Sequence, residues 1–260
     1  MAIIDRVAAA MRDQPWGVTE EQGRLLYSFI LREEPEQILE LGCGIGTSAC
    51  YMAAALAELG RGRVTSIDRN PDLPEWVART FAKVSPEFQR HHELVISATS
   101  YNDHLLKIIE TQTKDGVCQP FIDFCFIDGA HTWEIDGCAF FLSEKLLKPG
   151  KWMLFDDLNW TIANSPEAQK NMTSSVPIEL QQMAQVSKVF NFLVTQHSSF
   201  ECFLVAGEWG WARKKFEGGS LSNFGNPIVE LYPKPRFLKR QFQRIRQGFR
   251  FMYHSPRMGR

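Results

Sequence analysis

Residues 37–49, QILELGCGIGTSA, restrict what this chain can become more than any other stretch. An apolar run of strand character passes through a glycine-dense turn into a helical sequence. That arrangement leaves the first backbone N–H groups of the helix free for a ligand. Gly42, Gly44 and Gly46 permit dihedrals and close approaches that a Cβ would block. Glu40 is the exception in the apolar run: a buried carboxylate is costly unless a cation or hydrogen-bond donors meet it, and a bound sulfonium or ribose would serve.

Glu40, Gly42, Gly44 and Gly46, as E-x-G-x-G-x-G, resemble the S-adenosylmethionine (SAM) loop of class I methyltransferases. Gly44, Gly46 and Ala49 also fit the dinucleotide pattern G-x-G-x-x-A, with Asp68 about 20 residues on. The glycines leave both readings open, and the rest of the chain has to separate them.

At 260 residues the chain suffices for one sizeable core, and no repeat or linker divides its first four-fifths. No apolar run approaches the roughly 18 residues of a membrane span, and the N-terminus, with Asp5 among its apolar residues, reads as an amphipathic helix and not as a cleavable signal. A cytoplasmic protein is expected. Six cysteines form no C-x-x-C pair, so reduced, mostly buried thiols are expected and zinc is not.

The near-neutral total hides an asymmetry. After Glu230 there are nine Lys or Arg and no acid; with the whole chain at −1, residues 1–230 therefore carry −10. Leu238, Phe242, Ile245, Phe249 and Met252 recur at helical spacing within that basic tail. Docking on the acidic body or on another subunit is favoured for it, then peripheral contact with an anionic membrane surface; nucleic acid is the least favoured partner.

Helical spacing is expected over residues 2–13 and 19–32, with Thr19 as N-cap and Pro35 as terminator. Strands follow at 37–42, 63–68, 92–98, 121–127 and 151–157, separated by helices. Asp68 closes the second strand, where an acid can accept hydrogen bonds from both ribose hydroxyls; turn formation before Pro71 is the plainer alternative. A helix near 178–186 precedes two expected strands, 188–195 and 200–206, joined by QHSS as an antiparallel hairpin. That hairpin favours a methyltransferase sheet over a dehydrogenase built of parallel crossovers. The fold class expected is α/β: a Rossmann-like class I methyltransferase sheet of seven strands with a C-terminal antiparallel hairpin and helices on both faces. Three regions are expected: an N-terminal helical segment (1–35), the methyltransferase domain (36–210) and a C-terminal extension (211–260).

Acids close two further strands, Asp128 the fourth and Asp156 with Asp157 the fifth. Open α/β sheets bind ligands at those ends, and three converging carboxylates repel one another unless a hard dication joins them, Mg²⁺ or another divalent cation. FIDGAHTWE followed by LLKPGKWMLFDDLNW resembles the metal-dependent O-methyltransferases, and Asp128 with His131, then Asp156 with Asp157, is closer to the macrocin-type sugar branch (Asp-x-x-His, then Asp-Asp) than to the catechol and caffeoyl-CoA branch. The segment 19–26, TEEQGRLL, is similar to the latter branch. The resemblance implies SAM bound by Glu40, Gly42, Gly44, Gly46, Asp68, Ala98, Thr99 and Asp128, with Ala98 and Thr99 standing where relatives often carry Gly-Asp-Ser. It also implies a cation on Asp128, Asp156 and Asp157, and His131 as general base for a hydroxyl of a small polyhydroxylated substrate. Trp16, Trp133 and Trp160 fall on segments expected to border the pocket. Another reaction on the same fold, a metal-dependent hydroxylation or an NAD-dependent oxidoreduction, and a non-catalytic scaffold acting through the tail are the competing readings.

Overall fold

The computed structural model describes residues 2–172, 176–216 and 229–231. Two helices, α1 (Ile3–Met11) and α2 (Glu20–Glu33), precede the sheet. Thr19 starts α2 through a reciprocal capping box with Gln22, and Glu34 ends it in the left-handed conformation just before Pro35. The expected N-terminal helices are both present.

The central sheet is then built in alternation with helices: β1 (Gln37–Leu41), α3 (Thr47–Leu59), β2 (Arg63–Asp68), α4 (Leu73–Val84), β3 (His92–Ile96), α5 (Tyr101–Gln112), β4 (Ile122–Ile127), α6 (Trp133–Leu146) and β5 (Leu147–Phe155). Short helices α7 (Pro166–Met172), α8 (Ile178–Gln181) and α9 (Gln185–Lys188) lead into a π-helix, Val189–Val194. The chain closes with β6 (Phe200–Ala206), β7 (Trp209–Lys214) and β8 (Val229–Leu231). The spatial order is β8-β6-β7-β5-β4-β1-β2-β3. β1 to β5 are mutually parallel, whereas β7 runs antiparallel to both β5 and β6.

The sheet separates two apolar cores. On one face α1 to α4 pack through Leu26, Phe29, Ile30, Met52 and Phe81; on the other α5, α6 and the π-helix pack through Leu105, Phe140, Phe155 and Phe190. Residues 47–56 of α3 are all buried. Its alanines and Cys50 let α2 lie close, with Gly23 of α2 seated directly on the Tyr51 ring.

Several expectations about the C-terminal part are corrected. Residues 188–195 are not a strand: KVFNFLV coils through the π-helix and buries Val189, Phe190 and Val194. A short apolar run does not distinguish a buried helix from a strand, and here tertiary packing of Phe190 on Phe155 and Phe203 decides. The antiparallel hairpin is instead β6 with β7, turning at Gly207 with φ +64°. Since β7 runs to Lys214, the boundary placed at residue 210 falls inside a strand of the sheet. The expected helix at 178–186 is likewise broken into α8 and α9. β8, from the expected extension, adds in parallel to β6 as an eighth strand. The amphipathic basic segment that follows lies outside the described residues, and among those described no helix is long and apolar enough to cross a membrane.

Candidate active site

The carboxyl ends of β1 to β5 are held level by backbone hydrogen bonds that step across the sheet: Ser97 N to Asp68 O, Gly42 N to Ile67 O, Asp128 N to Leu41 O and Asp156 N to Ile127 O, each 2.7–3.0 Å. One edge therefore carries the glycine turn, Asp68, the bend at 97–99 and the two acid-bearing turns.

Gly42 has φ +86°, and a Cβ there would collide with the backbone carbonyl of Asp128. The glycine turn and the Asp128 turn thus touch, which a side chain at residue 42 would prevent. Gly46, with φ +83°, is the N-cap of α3 and offers no side-chain cap, so the first N–H groups of that helix stay available to an anionic or carbonyl ligand. Asp68 braces the turn: Oδ2 accepts from Cys43 N at 2.9 Å, while Oδ1 accepts from Arg69 N and Asn70 N at 2.6 and 3.1 Å. The turn-forming reading of Asp68 therefore holds, each carboxylate oxygen accepting from the backbone of the turns beside it.

Glu40 sits below the loop and not in the cleft. It is fully buried, accepting from Ser48 Oγ at 2.5 Å and from Ser66 Oγ. Burial pushes its carboxyl up to about 7, the two serine hydroxyls opposing. Ser66 also meets His92 Nε2 at 2.9 Å, and burial pulls that imidazole down to about 4. His92 opens β3 as expected, but it points inward and stacks on Phe81; His91 is buried too, with Nδ1 2.9 Å from Gly62 O.

Across the cleft, His131 Nε2 lies 3.1 Å from Asp157 Oδ2 and 3.4 Å from Asp128 Oδ1, with all three side chains 21–28 % exposed. Their ligand atoms are within 4.8 Å of one another. Burial lowers the His131 pKa, but hydrogen bonds and charge from Asp128 and Asp157 outweigh it and raise the ring to about 10. His131 and Asp157 both hold the left-handed conformation, φ +55° and +57°, which is unusual for residues with a Cβ and frequent at functional turns. The Asp157 turn brings Trp160 back over the imidazole, ring centroids 4.8 Å apart.

Asp156 is not part of this cluster. It is buried, and its Oδ1 accepts from the Asp157 N–H at 2.7 Å. Burial, then the charges of Asp128 and Asp157, push its carboxyl up to about 8. The compact cluster of possible ligands is therefore Asp128, His131 and Asp157, where Asp128, Asp156 and Asp157 were expected.

Residues 39–158 match the family profile described as a methyltransferase domain. Three solved structures share the architecture. The O-methyltransferase TomG from Streptomyces achromogenes, involved in tomaymycin synthesis and in complex with SAM, is 23% identical, with a TM-score of 0.54 over 83% of this chain and 90% of its own. The Bacillus cereus O-methyltransferase in complex with SAH, the demethylated product, is 19% identical, with a TM-score of 0.55 over 82% and 90%. The SAH-bound Podospora anserina methyltransferase PaMTH1 is 15% identical, with a TM-score of 0.55 over 82% and 87%. The chain has the fold of these methyltransferases. No curated protein matches it by sequence.

In this methyltransferase fold, Ala98 and Thr99 form an exposed bend beside Asp68, and Thr99 Oγ1 donates to Asp103. Trp16 lies over Gly44 and against Trp76, and its carbonyl accepts from Thr47 Oγ1 at 3.4 Å. Trp16 lies by the glycine turn and Trp160 by His131, while Trp16 and Trp133 are each about half exposed. Sequence reading missed Ser48, Ser66 and His92 as the support beneath the loop, and Tyr101 and Asp136 behind the Asp128 turn. For Ser66 the available signal was a polar residue within a strand of otherwise mixed apolar character; His92, between His91 and Glu93, carried none.

Proposed function

We propose that this protein transfers the methyl group of SAM to a hydroxyl of a small polyhydroxylated molecule, assisted by a divalent cation held by Asp128 and Asp157 with His131 beside it. The observation that carries the reading is the convergence of those three side chains on strand ends that also carry the glycine turn and Asp68. Two carboxylates at this spacing fit a hard divalent cation such as Mg²⁺ or Mn²⁺, with the His131 Nε2 lone pair left for a proton. Asp128 and Asp157 would hold such a cation, and it would supply positive charge that makes a nearby substrate hydroxyl easier to deprotonate.

The chain's own groups do the rest. The turn at Gly42, Gly44 and Gly46 with the α3 N-terminus receives the amino-acid end of SAM, Asp68 accepts from its ribose, and Ala98 and Thr99 flank its adenine. Glu40 supports the turn from beneath through Ser48 and Ser66. The hydroxyl oxygen attacks the sulfonium methyl in line; the C–S bond breaks, its electron pair stays on sulfur as the neutral thioether, and the hydroxyl proton passes to His131 Nε2. His131 performs that role when the charges of Asp128 and Asp157 are engaged elsewhere, because between two free carboxylates it is already protonated. Asp156 anchors the Asp157 turn through its N–H. The basic tail, opposite in sign to the acidic body, is assigned to self-docking or subunit contact in a cytoplasmic protein.

Calorimetric titration of SAM, with and without Mg²⁺, on wild type and Asp157→Ala tests this. SAM binding and a separate Mg²⁺ site lost in the variant are expected. SAM binding without any divalent site removes the cation from the reading, and absence of SAM binding overturns it.

A further inference from the structure

We propose that Tyr101 and Asp136 are positioning residues for the turn that carries Asp128 and His131, and that they set how tightly this turn holds a divalent cation. The inference rests on the cation reading above. Neither residue touches the proposed reacting groups: Tyr101 opens α5 and is 7% exposed, and Asp136 lies in the first turn of α6 at 1%.

The Tyr101 hydroxyl donates to Asp136 Oδ1. It also accepts from Ala130 N at 3.1 Å, and that same N–H lies 3.2 Å from Asp136 Oδ1. A single backbone donor, on the residue immediately before His131, is thus gripped by two side chains from two helices. Gly129 lies so close to the hydroxyl end of the Tyr101 ring that a Cβ would collide with it, so the phenol presses directly on the turn. A second strut runs alongside, where Asn102 Nδ2 donates to Ile135 O at 3.0 Å and joins the starts of α5 and α6. The next residue along the gripped backbone, His131, holds φ +55°, a conformation that persists only where the surroundings impose it.

The chemistry of the pair argues against simple packing. Asp136 Oδ2 is buried without a hydrogen-bond partner among the described residues. An apolar pair would fill this volume without that desolvation. What an apolar pair cannot do is fix the direction of the Ala130 N–H, and with it the placement of Asp128 on one side and of His131 on the other. Partners behind the ligands of a metal commonly alter affinity by about 10- to 100-fold.

The test uses the full chain and Mn²⁺. Tyr101→Phe removes the hydroxyl and keeps the ring. It is expected to weaken Mn²⁺ binding by about 10-fold or more in calorimetry and to move the ¹⁵N signals of the His131 ring, with the thermal midpoint close to wild type. Asp136→Asn preserves the volume and an acceptor and is expected to show the same changes to a smaller extent. Should Tyr101→Phe fail to fold, Asp136→Asn decides alone. Wild-type Mn²⁺ affinity together with unmoved His131 signals overturns the positioning role. If wild type itself takes no Mn²⁺, the cation reading fails, and the ring signals alone decide: displaced signals in Tyr101→Phe uphold the positioning of the turn, and unmoved ones overturn it.

Discussion

Two clusters of acid and imidazole lie at different depths of the same sheet. Glu40, Cys43 and His92 bring their ligand atoms within 4.8 Å of one another, and so do Asp128, His131 and Asp157. By composition the deeper set resembles a zinc site. Its charge, however, is already answered by hydroxyls: Ser48 and Ser66 donate to Glu40, and Ser66 stands between Glu40 and His92. Around His131 no hydroxyl intervenes among the described residues, and the imidazole is the direct counter-ion of two carboxylates. The two histidines consequently move in opposite directions, His92 down to about 4 by burial and His131 up to about 10 because its carboxylates outweigh burial. Compactness and donor type alone do not make a ligand site; access and unanswered charge do.

The largest effect expected from this contrast is on turnover. His131→Ala should reduce methyl transfer by about 10²-fold or more while SAM still binds. His92→Ala, remote from the cleft, should leave the chemical step far less affected. Normal turnover by the His131 variant, measured under saturating SAM, would remove it from the mechanism.

For the deep cluster the expected effect is on stability. Glu40→Ala strands the Ser48 and Ser66 hydroxyls in a buried space and should destabilise by roughly 1–3 kcal/mol, with the lost volume adding to it. Glu40→Gln, which keeps an acceptor and the volume, should cost less. Urea unfolding of both variants checks the order, and equal stability of Glu40→Ala and wild type would show that the serines re-pair with other groups.

How much of this was legible depended on whether a pattern had one physical cause. The strand ends were legible because apolar runs stop at an acid: Asp68, Asp128 and the Asp156–Asp157 pair all fall where expected. The glycine turn was legible because the contact between Gly42 and the Asp128 carbonyl excludes any side chain. KVFNFLV was not, since its apolar residues suit a strand or a buried coil equally and only the packing of Phe190 and Leu193 separates them. The choice between Asp156 and Asp157 was not legible either. Both lie past the end of β5 at Phe155, and it is the left-handed φ of Asp157, +57°, that turns its carboxylate to His131 while Asp156 stays inside. Tyr101 and Asp136 left no comparable trace, because what makes them partners is the meeting of two helix starts 35 residues apart.

The pH dependence sharpens the comparison further. His131, raised above its ordinary 6.5, contributes stability that is fully present below 6.5 and is lost as pH rises through about 10. His92, lowered to about 4, is neutral when folded, so stability falls as pH drops from 6.5 through about 4, where only the unfolded chain takes up the proton. A histidine NMR titration without divalent cations should show the two rings titrating far apart, His92 on the acid side and His131 on the alkaline side. Titration of both near 6.5 would erase the distinction between the clusters. Added Mn²⁺ or Mg²⁺ should bring the His131 transition down and leave that of His92 in place.

A further effect on stability concerns Asp156, which was expected at the site from sequence and lies in the interior by placement. Its carboxyl is raised from 3.8 to about 8 by burial and by the neighbouring charges of Asp128 and Asp157. Between those values the folded protein holds a proton that the unfolded chain has released, so this group makes stability decline as pH rises from 3.8 through about 8. Asp156→Asn keeps an oxygen to accept the Asp157 N–H and removes the titration. The variant should therefore gain on wild type progressively toward pH 8 in metal-free buffer and match it near pH 4. Thermal unfolding across that range is the measurement. If Asp156→Asn is instead uniformly less stable, and Mg²⁺ no longer protects it against unfolding, Asp156 turns outward to hold the cation as the three-aspartate expectation had it.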